Sequence, residues 1–424
     1  MRTRFYNGKI CTMENSAQVF EGELWTGGGR VEYAGSPKSS DEKFDREINL
    51  AGNLLLPGFK NAHTHSAMTF LRSYADDLPL LEWLHEQVFP MEAKLTPDDV
   101  YHLSKLAIME YLTSGITANF DMYHHIREAA RASIDCGFRT VFCGSVNSYG
   151  GSVAQEEESF AYLNNLHELI SAQFGFHAEY TCERPLLEEI AKSAHRLKAP
   201  VYCHNSEGRP EVDQCLERTG MTPTAYLDSF NMFQYGGGGF HCVHLSDEDM
   251  DVIKRRNMFV VTCPASNLKL ASGIAPVKKL LDKGVCVAIG TDGPASNNCL
   301  DFFREMFLTT ALQKVREDDA SVMDAADILR MAASDGALAM GLSDCDTLAV
   351  GKCADLIVID LNQPNMQPQN NIIKNVVYSG SKQNVKLAMV NGKILYEDGQ
   401  FHIGVEPEEV YARANEIIGR MRST

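Results

Sequence analysis

The stretch Leu54-Leu55-Leu56-Pro57-Gly58-Phe59-Lys60-Asn61-Ala62-His63-Thr64-His65 combines an apolar run, a Pro-Gly break and two histidines one residue apart. In an extended segment, residues i and i+2 lie on the same face, so both imidazoles can turn towards one point. A metal ion is the simplest occupant of that point. An isolated His-x-His pair is more often two surface histidines, so the interpretation depends on the rest of the chain.

Further polar residues follow apolar runs downstream. His204 ends the run 201–203, His241 follows Gly239-Phe240, and Asp292 follows the run 287–289. His241 and His244 share one short segment, and we expect His241 to point into the site and His244 to be structural. Three histidines and one carboxylate suit Zn²⁺, with Fe²⁺ and Mn²⁺ as alternatives.

The region from about 56 to 345 alternates between strand-like and helical patterns. Besides the run before His63, strand-like runs lie at 115–120, 139–142, 173–177, 200–204, 239–244, 258–262 and 285–290. A helix is predicted over 96–112, where Pro97 follows a capping Thr96. Eight β/α units in about 290 residues predict an α/β fold, a TIM (β/α)8 barrel, with a doubly wound open sheet as the alternative.

A barrel places reactive residues at the carboxyl ends of its strands. The candidates that meet this requirement are His63, His65, His177, His204, His241 and Asp292. This agreement is the strongest argument for the barrel.

The two ends of the chain have a different sequence pattern from the central region. Residues 1–55 are short β-rich runs separated by Asn-Gly and Gly-Gly breaks, and similar runs return at 354–360 and 387–396. We therefore expect residues 1–55 and 346–424 to form one small β-sandwich domain beside a catalytic barrel of residues 56–345. Early acids and late bases predict a terminal helix over 406–420.

Composition limits the classes of function. The net charge of −17 argues against nucleic acid and anionic membranes as partners. The N-terminus lacks the apolar core of a signal peptide, and no uncharged apolar run is long enough to span a bilayer. The 12 cysteines include no Cys-x-x-Cys pair, which predicts buried reduced thiols and a cytoplasmic location. Homo-oligomerisation is left open.

The candidate residues predict hydrolytic chemistry. A metal in such a site lowers the pKa of a bound water to about 7. Asp292 can accept the proton of that water, and Glu207, three residues after His204, can carry a proton to the substrate. Residues 236–239 are four glycines without a phosphate-binding pattern, so no nucleotide cofactor is expected.

At this point the sequence resembles the amidohydrolase superfamily, over a span from Pro57-Gly58-Phe59 to residues 351–356. Residues 61–65, 241–244, 266–273 and 290–298 look like the branch that deaminates 5′-methylthioadenosine and S-adenosylhomocysteine. The resemblance implies that one divalent metal, most simply zinc, is bound by His63, His65, His204 and Asp292. It also implies catalytic roles for Glu207, as the acid that protonates purine N1, and for His241, which orients the attacking hydroxide.

The same resemblance implies substrate contacts for Glu92, His177 and Glu207, with Glu92 at the ribose hydroxyls. His177 stands on the fourth strand where two-metal members carry a carboxylated lysine, which favours one metal. The family pattern for S-adenosylhomocysteine has two arginines that hold its carboxylate, and here those positions are Cys143 and Ser152. A carboxylate without a cationic partner is costly to bury. Neutral ligands are therefore expected, unless Arg209 turns in.

These observations predict a metal-dependent deaminase of an adenine-type nucleoside, such as 5′-methylthioadenosine, 5′-deoxyadenosine, adenosine or S-adenosylhomocysteine. Deamination of another aminated ring (guanine, pterin or triazine-like) and hydrolysis of a cyclic amide are the enzymatic alternatives. A barrel that has lost catalysis and serves in binding is the alternative from another class. The loop 76–94 is expected to cover the site, with Trp83 either contacting the base or packing.

Overall fold

The computed structural model describes residues 1–39, 42–74, 76–78 and 82–423. Within these ranges the strands form two sheets, one of nine strands and one of eight. In chain order the strands are β1 (Thr3–Ile10), β2 (Phe20–Gly27), β3 (Arg30–Gly35), β4 (Arg46–Asn49), β5 (Leu54–Pro57), β6 (Phe59–Thr64), β7 (Ile116–Asp121), β8 (Arg139–Cys143), β9 (Ile170–Ala178), β10 (Val201–Asn205), β11 (Gly237–His241), β12 (Met258–Thr262), β13 (Val287–Ile289), β14 (Leu356–Ile359), β15 (Val385–Val390), β16 (Lys393–Glu397) and β17 (Gln400–Phe401).

Helices connect the strands and surround the eight-stranded sheet. The α-helices are Phe89–Glu92, Pro97–Thr113, Ile126–Cys136, Val153–Leu163, Arg184–Leu197, Arg209–Thr219, Pro223–Ser229, Asp247–Arg255, Pro264–Lys269, Val277–Asp282, Phe302–Arg316, Ala325–Arg330, Gly336–Ala339, Ile372–Tyr378 and Pro407–Ser423. Short 3-10 helices lie at Ser66–Leu71, Glu179–Thr181, Ser343–Cys345, Pro364–Met366 and Lys382–Asn384, and π-helical turns at Trp83–Val88 and Met331–Asp335.

The eight-stranded sheet is a parallel barrel. β6 to β13 lie side by side in chain order, and every neighbouring pair is parallel. Just past β13, the backbone N–H groups of Thr291 and Asp292 donate to the His63 carbonyl oxygen at 3.1 and 3.0 Å. The last strand therefore meets the first, as a closed barrel requires. The predicted TIM barrel is confirmed, and the doubly wound open sheet is excluded.

The nine-stranded sheet is built from both ends of the chain. Its order is β17-β16-β15-β14-β5-β1-β2-β3, and β4 pairs with β1. N-terminal and C-terminal strands meet where β5 and β14 pair antiparallel, with Leu56 opposite Ile357. The predicted fold class, a barrel with a small β-sandwich domain formed by both chain ends, is confirmed.

The stretch from Leu54 to Thr64 passes from one sheet to the other. β5 belongs to the outer sheet and β6 opens the barrel, with Gly58 between them. A Cβ at Gly58 would lie 2.2 Å from Thr117 Cγ2, so only glycine permits this close approach. The apolar run before His63 is thus divided between the two sheets, and His63 lies within the first barrel strand, β6.

Two predicted helices are present. In the helix Pro97–Thr113, the Thr96 side chain accepts from the backbone N–H of Asp99, whose carboxylate accepts from the N–H of Thr96. The terminal helix Pro407–Ser423 begins with acids and ends with bases, as expected from the helix dipole.

The cysteines are free thiols, and ten of the 12 are buried. This confirms the prediction of buried thiols for these ten. Of the helices in the described ranges, none combines the length and the apolar character needed to span a membrane.

Candidate active site

The carboxyl ends of the barrel strands carry the predicted polar residues. These residues are His63 on β6 and His65 just after it, His177 on β9, His204 on β10, His241 on β11 and Asp292 after β13. Because the strands are parallel, their carboxyl ends share one rim of the barrel. The sequence prediction of where these residues lie in the fold is therefore met.

Four imidazoles surround one small volume at this rim. The His63 ring centroid lies 4.9 Å from those of His65 and His204 and 5.5 Å from that of His241. The rings of His65 and His204 lie 5.4 Å apart. Phe240 stacks on His63 at 3.9 Å and closes the volume from below. We call His63, His65, His204, His241 and Asp292 the metal end of the site.

Three of the histidines are oriented through Nδ1, which in each case faces a carbonyl-type oxygen. His65 Nδ1 lies 2.5 Å from the Met122 carbonyl oxygen, and His204 Nδ1 lies 2.8 Å from that of His177. His241 Nδ1 lies 2.8 Å from Asn267 Oδ1. An Nδ1–H that donates to such an oxygen leaves Nε2 with its lone pair free to bind a metal.

His63 is fully buried, and neither of its ring nitrogens has a hydrogen-bond partner within the described residues. Its Nε2 lies 3.7 Å from Asp292 Oδ1. Burial, helped by the neighbouring imidazoles, holds the pKa of His63 well below its usual value, so the ring is neutral. A buried polar nitrogen without a partner is costly unless another atom satisfies it.

Asp292 is fixed on all sides. Its Oδ2 accepts from the hydroxyls of Ser266 at 2.6 Å and Ser296 at 2.7 Å, and its Oδ1 accepts from the Gly293 N–H at 2.7 Å. Oδ1 also lies 3.2 Å from His65 Nε2. Burial alone would raise the pKa of Asp292, but the hydrogen bond with His65 and the charges of the imidazoles hold it well below its usual range.

Glu207 lies beside His241. It lies in the turn after β10, is buried, and places Oε2 3.7 Å from His241 Nε2. Burial raises the pKa of Glu207, with the charge of Asp292 acting in the same direction. This environment favours the protonated form of Glu207, which can donate a proton.

The turn that carries Glu207 is held by Glu211. The Glu211 carboxylate accepts from the backbone N–H groups of Ser206 at 2.8 Å and Glu207 at 2.7 Å. Ser206 has a φ of 51°, a left-handed conformation that is uncommon for a residue with a side chain. Glu211 therefore stabilises a strained turn and fixes where the Glu207 side chain begins.

A cavity of about 810 Å³ opens above the metal end. Glu92 and His177 line it, as do Glu207, Tyr123 and Tyr180. Burial raises the pKa of Glu92 and lowers that of His177 to about 3, so His177 is neutral. The volume is that of an ordinary small-molecule site.

The loop expected to cover the site contributes Trp83, Leu84 and Val88 to the cavity wall, while its residues 79–81 lie outside the described residues. Trp83 is buried in an apolar cluster and also lines the cavity. The two readings of Trp83, packing and facing the ligand, are compatible.

Comparison with known proteins places the chain in a family. The model of the amidohydrolase family matches residues 54–395, which span the barrel and the metal end. The chain belongs to this family.

Two curated relatives of this amidohydrolase carry the same name. A 5-methylthioadenosine/S-adenosylhomocysteine deaminase of Pelotomaculum thermopropionicum is 38% identical over 413 residues, covering 96% of this chain and 95% of the relative. The protein of the same name from Caldanaerobacter subterraneus subsp. tengcongensis is 39% identical, covering 96% and 95%. Both relatives align over nearly their whole length.

Two solved structures share the fold of this chain. A zinc-bound adenosine deaminase of Xanthomonas campestris has a TM-score of 0.94 and 31% identity, covering 100% of this chain and 99% of the other. An atrazine chlorohydrolase of Arthrobacter aurescens TC1 has a TM-score of 0.89 but 19% identity, which shows the shared fold.

The donor atoms of this amidohydrolase fit a divalent metal. Two sets of three donors lie within 4.8 Å of one another: His63, His204 and His241, and His63, His65 and Asp292. The unpaired nitrogens of His63 supply an independent sign, because a metal would satisfy a buried atom that the described residues leave without a partner. Neutral imidazoles with one carboxylate are the ligand set of such sites.

The structure brings together all the residues predicted for the site, but the position of His241 differs from the role expected for it. His241 lies as close to His63 and His204 as a ligand would, although the sequence analysis gave it the role of orienting water. His244 turns away, with Nε2 2.7 Å from the Ser272 carbonyl oxygen. The strand expected over 239–244 ends at His241, whose φ of 68° turns the chain out of the sheet.

Sequence reasoning missed the residues that hold others in place, Glu211, Asn267, Ser266 and Ser296. A signal existed for Glu211, since a Glu at the third position of a helix that begins Arg209-Pro210 is typical of a capping residue. Ser296 lies four residues after Asp292, whereas Ser266 and Asn267 follow the strand that neighbours those of Asp292 and His241. No capping or spacing pattern of the kind seen at Glu211 indicates these three residues.

Proposed function

We propose that this amidohydrolase is a metal-dependent hydrolytic deaminase of an adenine-type nucleoside, which yields the inosine analogue and ammonia. The observation that carries the proposal is Glu207, a buried carboxyl group of raised pKa beside His241 at the edge of the metal end. A ring amidine needs an acid at this place, because its nitrogen must be protonated before ammonia can leave. The names of the relatives and the zinc-bound adenosine deaminase support the same chemistry.

In this proposal His63, His65, His204 and Asp292 hold one divalent metal, most simply zinc, with iron and manganese as alternatives. When bound, the metal supplies a nucleophilic water by lowering the pKa of that water. The partners of His65, His204 and Asp292 keep these side chains in place before the metal arrives.

The proton steps belong to the chain itself. Glu207 donates a proton to the ring nitrogen N1 as the carbon beside it is attacked, and the Asp292 carboxylate accepts the proton of the attacking water. His241, oriented by Asn267, positions that water. The proton on Asp292 then passes to the amino group, which leaves as ammonia. As ammonia leaves, the hydroxyl added to the ring carbon becomes a carbonyl and its proton returns to the Glu207 carboxylate. Both protons of the water are thus accounted for, and both acids return to their starting states.

Substrate contacts are proposed for Glu92, His177 and Glu207, all of which line the cavity. Glu92 suits the ribose hydroxyls, because a carboxylate can accept two hydrogen bonds from a vicinal diol. His177 is neutral, and its Nδ1 lies 3.0 Å from Thr181 Oγ1.

Of the predicted nucleosides, those with neutral 5′ groups are favoured over S-adenosylhomocysteine. Cys143 and Ser152 line the cavity where the family pattern has arginines. Arg209 does not replace them, because it pairs with Asp213 on the outside and its side chain is 69% exposed. We propose 5′-methylthioadenosine, 5′-deoxyadenosine and adenosine as the better substrates.

The test is ammonia release by metal-assayed protein from adenosine, 5′-methylthioadenosine, 5′-deoxyadenosine, S-adenosylhomocysteine, guanine and a pterin. Turnover of the neutral adenine nucleosides, abolished by Glu207→Gln, is expected. Turnover of guanine or the pterin alone would move the assignment to another ring. Protein that takes up none of Zn²⁺, Fe²⁺ and Mn²⁺ would contradict the metal site. A cytoplasmic location and homo-oligomerisation stay predictions.

A further inference from the structure

The cavity has a second polar region apart from the metal end. Cys143 ends β8, Gly144 follows it, and Glu156 lies in the first turn of the helix Val153–Leu163. All three line the same cavity as the metal end. We call Cys143, Gly144 and Glu156 the distal end.

The Glu156 carboxylate has no hydrogen bond and no ion pair within the part of the chain that the structure describes. The next two residues differ from it, since Glu157 pairs with Arg196 and Glu158 pairs with Arg127. Of these three successive glutamates, Glu157 and Glu158 form ion pairs with arginines at the surface, and Glu156 faces the cavity. A carboxyl group in a cavity without a partner is costly to maintain, and a ligand can supply the missing partner.

The backbone makes room for this carboxyl group. A Cβ at Gly144 would lie 2.1 Å from Glu156 Oε1 and 2.5 Å from the Gly175 carbonyl oxygen, so a side chain at position 144 would displace the acid. Burial raises the pKa of Glu156 to about 8, and it also raises the pKa of the Cys143 thiol, with the charge of Glu156 as a second cause.

The cavity contains acids and no balancing lysine or arginine. Among the described residues that line it, none is Lys or Arg, while Glu92, Glu156, Glu207 and Asp292 are acidic. At the metal end, the neighbouring imidazoles stabilise the charge of Asp292, and the metal of the proposed function would compensate it further. At the distal end none of the described lining residues is a Lys or Arg that could pair with Glu156, and burial favours its protonated form. A bound ammonium group favours the ionised carboxylate and pairs with it, so a cation is favoured there and an anion is disfavoured.

We propose that the distal end is a specificity site for an amine on the 5′ substituent of the nucleoside, and that Glu156 binds this amine and excludes a carboxylate. The proposal rests on the proposed function, because it takes the purine at the metal end and the 5′ substituent as the part that reaches Glu156. The preferred ligands are thus 5′-aminoalkyl adenine nucleosides. Neutral 5′ groups are accepted without the gain from Glu156.

Four 5′-thioether adenosines separate the two charges. One carries a propylthio group, one a 3-aminopropylthio group, one a homocysteinyl group, and one a carboxylate without the amine. The homocysteinyl and aminopropylthio groups place the amine on the same carbon and differ by the carboxylate. We expect kcat/KM to be highest for the amine, about tenfold lower for the homocysteinyl compound, and lowest for the compound with carboxylate alone.

Glu156→Gln keeps the size of the side chain and removes its ability to ionise against a bound amine. It should lower kcat/KM for the aminopropylthio compound at least about tenfold and change kcat/KM for the propylthio compound by no more than about threefold. It should raise kcat/KM for the carboxylate compound severalfold. Glu158→Gln, on the same helix but paired with Arg127 at the surface, is the matched control and should change none of these values.

A binding measurement keeps the test independent of turnover. The four 6-oxo products are not deaminated, and calorimetric titration should give the same order of affinity and the same response to Glu156→Gln. If propylthioadenosine is deaminated but Glu156→Gln affects all four compounds equally, the inference is wrong and the proposed function stands. If none of the four adenosines is deaminated and none of the products binds, the proposed function fails and this inference fails with it.

Discussion

The two ends of the cavity differ in how their polar groups are satisfied. At the metal end, four groups have a fixed partner in the protein: His65 has Met122, His204 has His177, His241 has Asn267, and Asp292 has Ser266 and Ser296. His63 has none among the described residues, and a metal would satisfy it. At the distal end, Glu156 faces the same cavity with no hydrogen-bond or ion-pair partner among the described residues. The difference teaches that the fold holds most groups of the metal end in advance, whereas in our proposal Glu156 leaves its partner to the ligand.

The largest effect is expected at Glu207. Glu207→Gln keeps the shape but cannot donate a proton to N1, so kcat/KM should fall about 10³-fold while bound metal stays unchanged. Steady-state deamination with metal analysis measures both. Glu217→Gln, an exposed position of the following helix, is the control and should behave as wild type. A fall in metal content equal to the fall in rate would place Glu207 among the groups that hold the metal.

His241 tests the division of labour inside the metal end. If it orients water, His241→Gln should lower kcat about 10²-fold with metal retained. The matched variant is His244→Gln, three residues on, whose side chain contacts Ser272 and not the site; it should keep kcat within a few fold. Loss of metal from His241→Gln alone would instead make His241 a ligand, as its closeness to His63 and His204 permits.

Glu211 tests whether a preset turn matters for catalysis. Glu211→Gln weakens the bonds to the N–H groups of Ser206 and Glu207 and lets the acid shift. We expect kcat to fall about ten- to a hundredfold, with KM and metal content nearly unchanged. An equal fall in thermal stability and no change in kcat for the folded fraction would limit Glu211 to a structural role.

The smallest effect concerns stability at the distal end. The folded pKa of Glu156, about 8, lies above the ordinary value of 4.5. A group with a raised pKa gives its full contribution below pH 4.5, and that contribution is lost as pH rises through about 8. Relative to Glu156→Gln, the wild type should therefore lose free energy of unfolding between pH 5 and pH 8. Parallel pH curves of chemical denaturation would show that Glu156 is not buried enough to matter.

Much of the fold was predictable because it depends on patterns among residues that are close in the sequence. Apolar runs that end in His or Asp predicted the barrel and its rim, and Asn-Gly and Gly-Gly breaks predicted the β structure at both chain ends. The division of Leu54–Thr64 between two sheets was not predicted, because it depends on Thr117 approaching Gly58 from a distant strand.

By itself, the sequence determined which residues stand at the carboxyl ends of the strands, since strand length and polarity are properties of neighbouring residues. Only the tertiary structure decided which oxygen orients each imidazole, that His63 is left without a partner, and that Glu156 faces the cavity while Glu157 and Glu158 do not. The physical reason is that a side chain's direction and partners depend on how separate elements pack, and packing joins residues that the chain keeps far apart.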